Sequence, residues 1–213
     1  MTDTNQPSIP PCQLYLISPP EIGPDFAQQL VEAFDGGNVA AFQLRLKGLS
    51  EDEIAALAGP IQQLCAEREV AFIVNDSIAL AKRLEADGVH LGQEDGDPRE
   101  ARSILGPAAQ IGVTCHGSRH MAMEAGEAGA DYVAFGAFYP TTTKDVTEHA
   151  DVDLLRWWSS VFELPCVAIG GITADNAQPL IEAGADFLAV SGAVWNHPQG
   201  PRAGVAAFAS ILG

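Results

Sequence analysis

Eight short apolar runs alternate along this chain with stretches that carry helix signals, and that alternation limits the fold more than any other feature. The runs are 13–18, 39–46, 70–74, 88–91, 110–113, 132–135, 166–169 and 187–190. Short, nearly continuous apolar runs of this kind suit strands buried on both faces. Helices are expected at about 24–35, 51–68, 77–85, 98–105, 118–128, 151–162, 174–183 and 203–212. Ser50 and Glu53 form a capping-box pattern, and Pro60 predicts a break or kink in the helix that follows. Strand then helix, repeated eight times, builds a parallel sheet. Eight units in 213 residues fit the lower size limit of a closed barrel. The open, doubly wound alternative would carry a Gly-x-Gly-x-x-Gly turn after its first strand, and none is present there. The expected fold is α/β: a (β/α)8 TIM barrel, one domain over 13–213, with a polar, flexible arm over 1–12.

An internal repeat supports the strand assignments. Glu85-Ala-Asp-Gly-Val89, Gly129-Ala-Asp-Tyr-Val133 and Gly184-Ala-Asp-Phe-Leu188 share one plan: a helix end, a short acidic turn, an apolar strand. The copies lie 44 and 55 residues apart, so the device recurs at every second strand–helix unit.

Composition narrows the function. A net charge of −17 argues against duplex nucleic acid and anionic membranes, which need clustered Lys and Arg. No apolar run approaches the ~18 residues of a membrane span, and the first residues lack a secretory signal. The four cysteines, at 12, 65, 115 and 166, have neither metal-ligand nor redox spacing, which implies reduced thiols and a cytoplasmic setting. Only three lysines occur, Lys47, Lys82 and Lys144, so a site for an anion must draw on few cations.

In such a barrel the chemistry gathers where strands end. After the second run comes Gln43-Leu44-Arg45-Leu46-Lys47. Period two sends Gln43, Arg45 and Lys47 to one side and the leucines to the other. Polar residues inside an apolar strand are costly unless they face a ligand; a polar strand edge is the alternative. Asn75-Asp76 and Asp95 follow adjacent runs, so two carboxylates can meet one hard cation, or each can cap the next helix. Thr114 can bind a phosphate oxygen or cap a helix. His90 reads as a satisfied interior residue, Cys115 has no partner for nucleophilic work, and His116 with His120 lack a third metal ligand. Thr141, Thr142, Thr143 and Lys144 group three hydroxyls with a cation, which suits an anion or a solvated loop. Gly170 and Gly171 allow backbone N–H groups to approach a phosphate at the start of the seventh helix. Val190, Ser191 and Gly192 close the series, with a short helix or turn expected next. Two anion sites result: one metal-assisted, from Arg45, Lys47, Asp76, Asp95 and Lys144; the other from Gly171, Ser191 and Thr141–Thr143. A metal-bound diphosphate beside a monophosphate suggests transfer of an organic group away from diphosphate.

Jointly these motifs resemble the thiamine-phosphate synthase family over about residues 13–194. The resemblance is carried by Gln43–Lys47, Asn75-Asp76, Ala86–Asp95, Thr141–Lys144, Ala168–Ile172 and Val190-Ser191. It implies a barrel that joins a hydroxymethylpyrimidine diphosphate to a thiazole phosphate with Mg2+. On that likeness Gln43, Leu44, Arg45, Leu46, Lys47 and Asn75 hold the pyrimidine diphosphate, and Asp76 and Asp95 bind the metal. Arg45, Lys47 and Lys144 act on the leaving diphosphate. Thr141, Thr142, Thr143, Gly171, Val190 and Ser191 hold the thiazole phosphate. Thr114 stands where the family usually has Ser and keeps the hydroxyl. Ala137 stands where members often have Pro, and the acidic stretch after Lys144 departs from the family pattern. Related thiazole tautomerases carry His at the position of Ala137 and tend to lose the acidic pair and the Thr-Lys run. A non-catalytic barrel that senses a thiamine precursor would have no need of Asp76, Asp95 and Lys47. The expected partners are the two small substrates, and a homo-oligomer is compatible with the sequence.

Overall fold

The structure, a computed structural model, describes residues 12–140 and 150–212. Eight parallel strands close a barrel in sequence order: β1 (Gln13–Ile17), β2 (Ala41–Leu44), β3 (Ala71–Asn75), β4 (Gly88–Leu91), β5 (Gln110–His116), β6 (Tyr132–Phe135), β7 (Cys166–Ile169) and β8 (Phe187–Val190). Strand β8 returns to β1 with Leu16 opposite Val190. The helices are α1 (Phe26–Phe34), α2 (Glu51–Glu67), α3 (Ile78–Arg83), α4 (Pro98–Leu105), α5 (Arg119–Glu127), α6 (Val152–Val161), α7 (Gln178–Glu182), α8 (Gly192–Trp195) and α9 (Pro201–Leu212). No helix among the described residues is long and apolar enough to cross a membrane. Of the expected N-terminal arm, residues 1–11 lie outside the described residues.

Period two along the strands builds two nested cores. Leu14, Leu16, Phe42, Leu44, Phe72, Val74, Val89 and Leu91 face outward and pack under the helices. Tyr15, Ile17, Ile73, Tyr132, Ala134, Val167 and Ala189 face inward and fill the barrel. Each large outward side chain, fully buried, contributes about 1.5–3 kcal/mol of transfer free energy.

The three-fold repeat is a structural device. Glu85, Gly129 and Gly184 take positive φ, and the next residue's N–H returns to the helix just finished: Ala86 to Ala81, Ala130 to Ala125, Ala185 to Leu180. That is the αL termination of a helix. The aspartate that follows then accepts a backbone N–H from the preceding strand. Asp87 takes Phe72 N–H at 2.7 Å, Asp131 takes Ile111 N–H at 2.7 Å, and Asp186 takes Cys166 N–H at 2.8 Å. The pairs joined are β3–β4, β5–β6 and β7–β8.

Several expected boundaries differ from those observed. Of the break or kink expected at Pro60, the break is not made: helix α2 continues through it, with Ala58, Ile61 and Cys65 buried around the ring. Strand β2 is shorter than its apolar run, and β5 is longer, reaching His116 past an irregularity after Thr114. Helix α7 starts at Gln178 rather than 174, since the chain first makes a turn held by the Asn176 side chain.

Candidate active site

The strand ends are fastened to one another before any ligand is considered. Ser18 lies at the end of β1, buried, and its hydroxyl both donates to Arg45 O at 3.1 Å and accepts from Arg45 N–H at 2.9 Å. Lys47 N–H donates to Pro20 O at 3.0 Å. The run after β2 is thus clamped to the run after β1, with Arg45 half-buried and Lys47 exposed at the rim. The side chains of Leu44 and Leu46 take the other face and sit in the outer core, so only their backbone stays with the polar run. Gln43 points inward and is 3% exposed.

Asp76 and Asp95 follow β3 and β4, and neither caps a helix. Ser77 caps α3 by accepting Leu80 N–H at 3.0 Å, and Asp97 caps α4 by accepting Arg99 N–H at 2.7 Å. Asp76 has a φ of 67°, and its N–H donates to His90 O at 2.8 Å, which turns the chain at the strand end. The Asp95 carboxylate accepts Gly92 N–H at 2.8 Å, and a β-carbon at Gly92 would crowd it. Both carboxylates border one cleft, with Ser77 and Ile78 at its α3 side and Glu100 and Ile104 at its α4 side. Lys82 is exposed on the wall of this cleft. Among the described residues no group of three or more His, Cys, Asp or Glu could hold a metal. Two exposed carboxylates do fit Mg2+, which takes one or two carboxylates and fills its remaining positions with water and phosphate oxygen.

A hydrogen-bonded file crosses the barrel interior beneath these strand ends. Gln43 Nε2 donates to Tyr15 Oη at 3.0 Å. Tyr15 Oη and Tyr132 Oη lie 2.9 Å apart, Tyr132 Oη meets His90 Nδ1 at 3.1 Å, and His90 Nε2 meets Thr114 Oγ1 at 2.8 Å. The His90 and Tyr132 rings stack at 5.6 Å, and His90 is 7% exposed. Burial pushes the Tyr15 phenol up to about 12 and the Tyr132 phenol well above its ordinary value, so both keep their protons at neutral pH. His90 is the satisfied interior residue that the sequence predicts. The rest of the file escapes sequence reasoning, because period two says which residues face inward and not which of them touch.

On the far side the loops after β6 and β7 interlock. Phe138 N–H donates to Ile169 O at 3.2 Å, and Tyr139 N–H to Gly170 O at 3.0 Å. A β-carbon on Gly170 would reach Ala137, and one on Gly171 would collide with the Tyr139 and Pro140 carbonyls. Asn176, unremarked in the sequence, organises the turn. It donates to Gly171 O at 3.0 Å, accepts Thr173 N–H at 2.8 Å, and its carbonyl accepts the Tyr139 hydroxyl at 2.7 Å. Gly171 therefore belongs to an Asn-held turn and not to the start of α7. Ser191 donates to Ser18 O at 3.1 Å and leads directly into α8, the short helix expected there. The Val190 side chain is in the outer core, so Val190 can meet a ligand only through its backbone. Thr141, Thr142, Thr143 and Lys144 lie outside the described residues.

The remaining candidates recede. Cys115 is buried and its thiol is pushed up to about 12 by burial, which removes it as a nucleophile. His120 pairs with Glu124 at 3.4 Å on the exposed face of α5. Gln93, inside the Ala86–Asp95 motif but with no role assigned from sequence, donates to Thr114 O at 2.5 Å and joins the β4 loop to the end of β5.

Comparison with known proteins places this geometry in a family. The thiamine monophosphate synthase family profile matches residues 14–194. A thiamine-phosphate synthase of Erythrobacter litoralis is 66% identical over 95% of this chain and 96% of its own length. One of Rhodospirillum centenum is 55% identical over 94% of this chain and 98% of its own. The solved thiamine phosphate pyrophosphorylase of Pyrococcus furiosus superposes with a TM-score of 0.83 at 32% identity, covering 94% of this chain and 95% of that one. With its barrel, its paired carboxylates and this continuous likeness, the chain belongs to the thiamine monophosphate synthase family.

Proposed function

We propose that this chain is a thiamine-phosphate synthase of the transferase class, joining a hydroxymethylpyrimidine diphosphate to a hydroxyethylthiazole phosphate. The observation that carries the reading is the placement of Asp76 and Asp95 at adjacent strand ends on one cleft, with the helix caps supplied by other residues. The C–O bond to diphosphate breaks with its electron pair leaving on oxygen, and the thiazole nitrogen lone pair forms the new C–N bond. No protein nucleophile is needed, and the buried Cys115 offers none. Arg45 and Lys47, held by Ser18 and Pro20, stabilise charge that develops on the leaving diphosphate. Gln43 and Asn75 orient the pyrimidine at the mouth of the barrel. Asp76 and Asp95 would hold Mg2+, which would supply further neutralisation of the leaving group. Thr141, Thr142, Thr143, the Gly171 turn and Ser191 hold the thiazole phosphate by backbone and hydroxyl groups, and Lys144 joins the cations.

The test is incubation of the purified protein with both phosphorylated substrates and Mg2+. Thiamine phosphate and diphosphate are expected in equal amounts. Asp76→Ala and Asp95→Ala are expected to lose Mg2+-dependent turnover while staying folded. Thiazole tautomerisation without thiamine phosphate would replace this reading by the tautomerase one.

A further inference from the structure

The interior file that runs from Gln43 to Thr114 has a direction. The Gln43 amide nitrogen can only donate, so the Tyr15 oxygen accepts there. The Tyr15 proton is then free for Tyr132, the neighbour at 2.9 Å. Tyr132 accepts that proton and donates its own to His90 Nδ1. A neutral imidazole that accepts at Nδ1 carries its proton on Nε2, which donates to Thr114 Oγ1. The Thr114 proton is left over at the end of the file. In the opposite sense the Tyr15 oxygen would receive two donors, and its own buried proton would have no acceptor among the described residues. An imidazolium would likewise leave the Tyr132 proton unplaced. Buried donors without acceptors are rare because they keep their full desolvation penalty.

We propose that His90 is a positioning residue, held by Tyr132 as the neutral Nε2–H tautomer, and that it makes the Thr114 hydroxyl a hydrogen-bond donor toward the barrel mouth. Two inward aromatic rings and an imidazole serve to fix the polarity of one hydroxyl. The ligand that such a hydroxyl suits is an acceptor: a diphosphate oxygen or an unprotonated ring nitrogen. Only the identity of that acceptor rests on the function proposed above; the polarity of the file does not.

The polarity is read from the ligand-free protein, labelled with 15N at histidine, in long-range 1H–15N correlation spectra at neutral pH. The expected His90 pattern is a protonated Nε2 and a bare Nδ1. A protonated Nδ1, or an imidazolium, would overturn the proposal, and the wild type alone decides this. Tyr132→Phe keeps the ring and removes the donor to Nδ1, so its His90 signals are expected to move toward a mixture of tautomers. Signals that stay where they are in that variant would reduce Tyr132 to packing and refute the positioning role. In turnover, Thr114→Val is expected to raise KM for the pyrimidine diphosphate by about tenfold, with KM for the thiazole phosphate unchanged and Thr114→Ser close to wild type. Equal effects of Val and Ser would count against a hydroxyl donor. An Nε2–H pattern in a protein that makes no thiamine phosphate would remove the proposed activity and leave the file intact.

Discussion

Gly112 pairs in register with both His90 and Tyr132, and a β-carbon placed on it would fall within the Tyr132 ring. The stacked pair exists because this position has no side chain. Gly112→Ala is therefore expected to cost about 1–3 kcal/mol by overpacking, read from urea denaturation. A variant as stable as the wild type would mean that the ring can move aside.

The aspartate device makes a second prediction. Asp186 accepts the Cys166 N–H at 2.8 Å, and Cys166 is fully buried. Asp186→Ala leaves that N–H without its partner and is expected to lower stability by about 1–3 kcal/mol. Asp186→Asn retains an acceptor oxygen and is expected to recover part of the loss. Equal midpoints for the alanine variant and the wild type would show that the bond contributes nothing net.

A third prediction concerns acid. Asp35 follows α1 and receives Arg68 at 2.8 Å and Arg202 at 2.7 Å, tying α1 to the end of α2 and to α9. The Arg68 hydrogen bond, then the charges of Arg68 and Arg202, hold its carboxyl below the ordinary 3.8. A depressed folded value contributes stability that is complete above the unfolded value and lost as pH falls through the folded one. The Tm gap between wild type and Asp35→Asn is expected to be constant from neutral pH to about 5 and to close below about 4. A gap that widens in acid would contradict the assignment.

Lysine scarcity gives the fourth. Lys144 is proposed to contact the leaving diphosphate, whereas Lys82, on the α3 wall of the carboxylate cleft, is exposed and has no proposed contact with substrate. Lys144→Gln is expected to lower turnover by about 10²-fold with the fold intact. Lys82→Gln is expected to stay within a few-fold of the wild type. Equal losses would point to a diffuse field effect and remove Lys144 from the site.

The order of strands and helices could be read directly from the chain, since apolar runs and caps are local signals. So could the strand-end position of Gln43, Arg45, Lys47, Asn75, Asp76 and Asp95. Whether the two aspartates cap the next helices could not, because Ser77 and Asp97 compete for the same N–H groups and only geometry shows which residue caps. The roles of Ser18, Gln93 and Asn176 could not be read for another reason. Each acts through a backbone group of a different loop or strand end, reached across the barrel rim or around a turn, and no spacing announces such a bond. The break that Pro60 signals is not made, because the burial around it offsets its local penalty.

The aspartate bonds join residues 15 to 20 positions apart, but the bonds that shut the ring do not. Ser191 reaches Ser18 across 173 residues, and the Trp195 indole reaches Ile17 O across 178. Closing the longer loop adds about 2 kcal/mol of entropy cost over a 20-residue one. The β8–β1 junction is thus the buckle of the belt, and Ser191, proposed to seat the thiazole phosphate, is part of it. A ligand held there finds its site only when the belt is fastened, so by mass action its concentration sets how tightly the barrel stays shut.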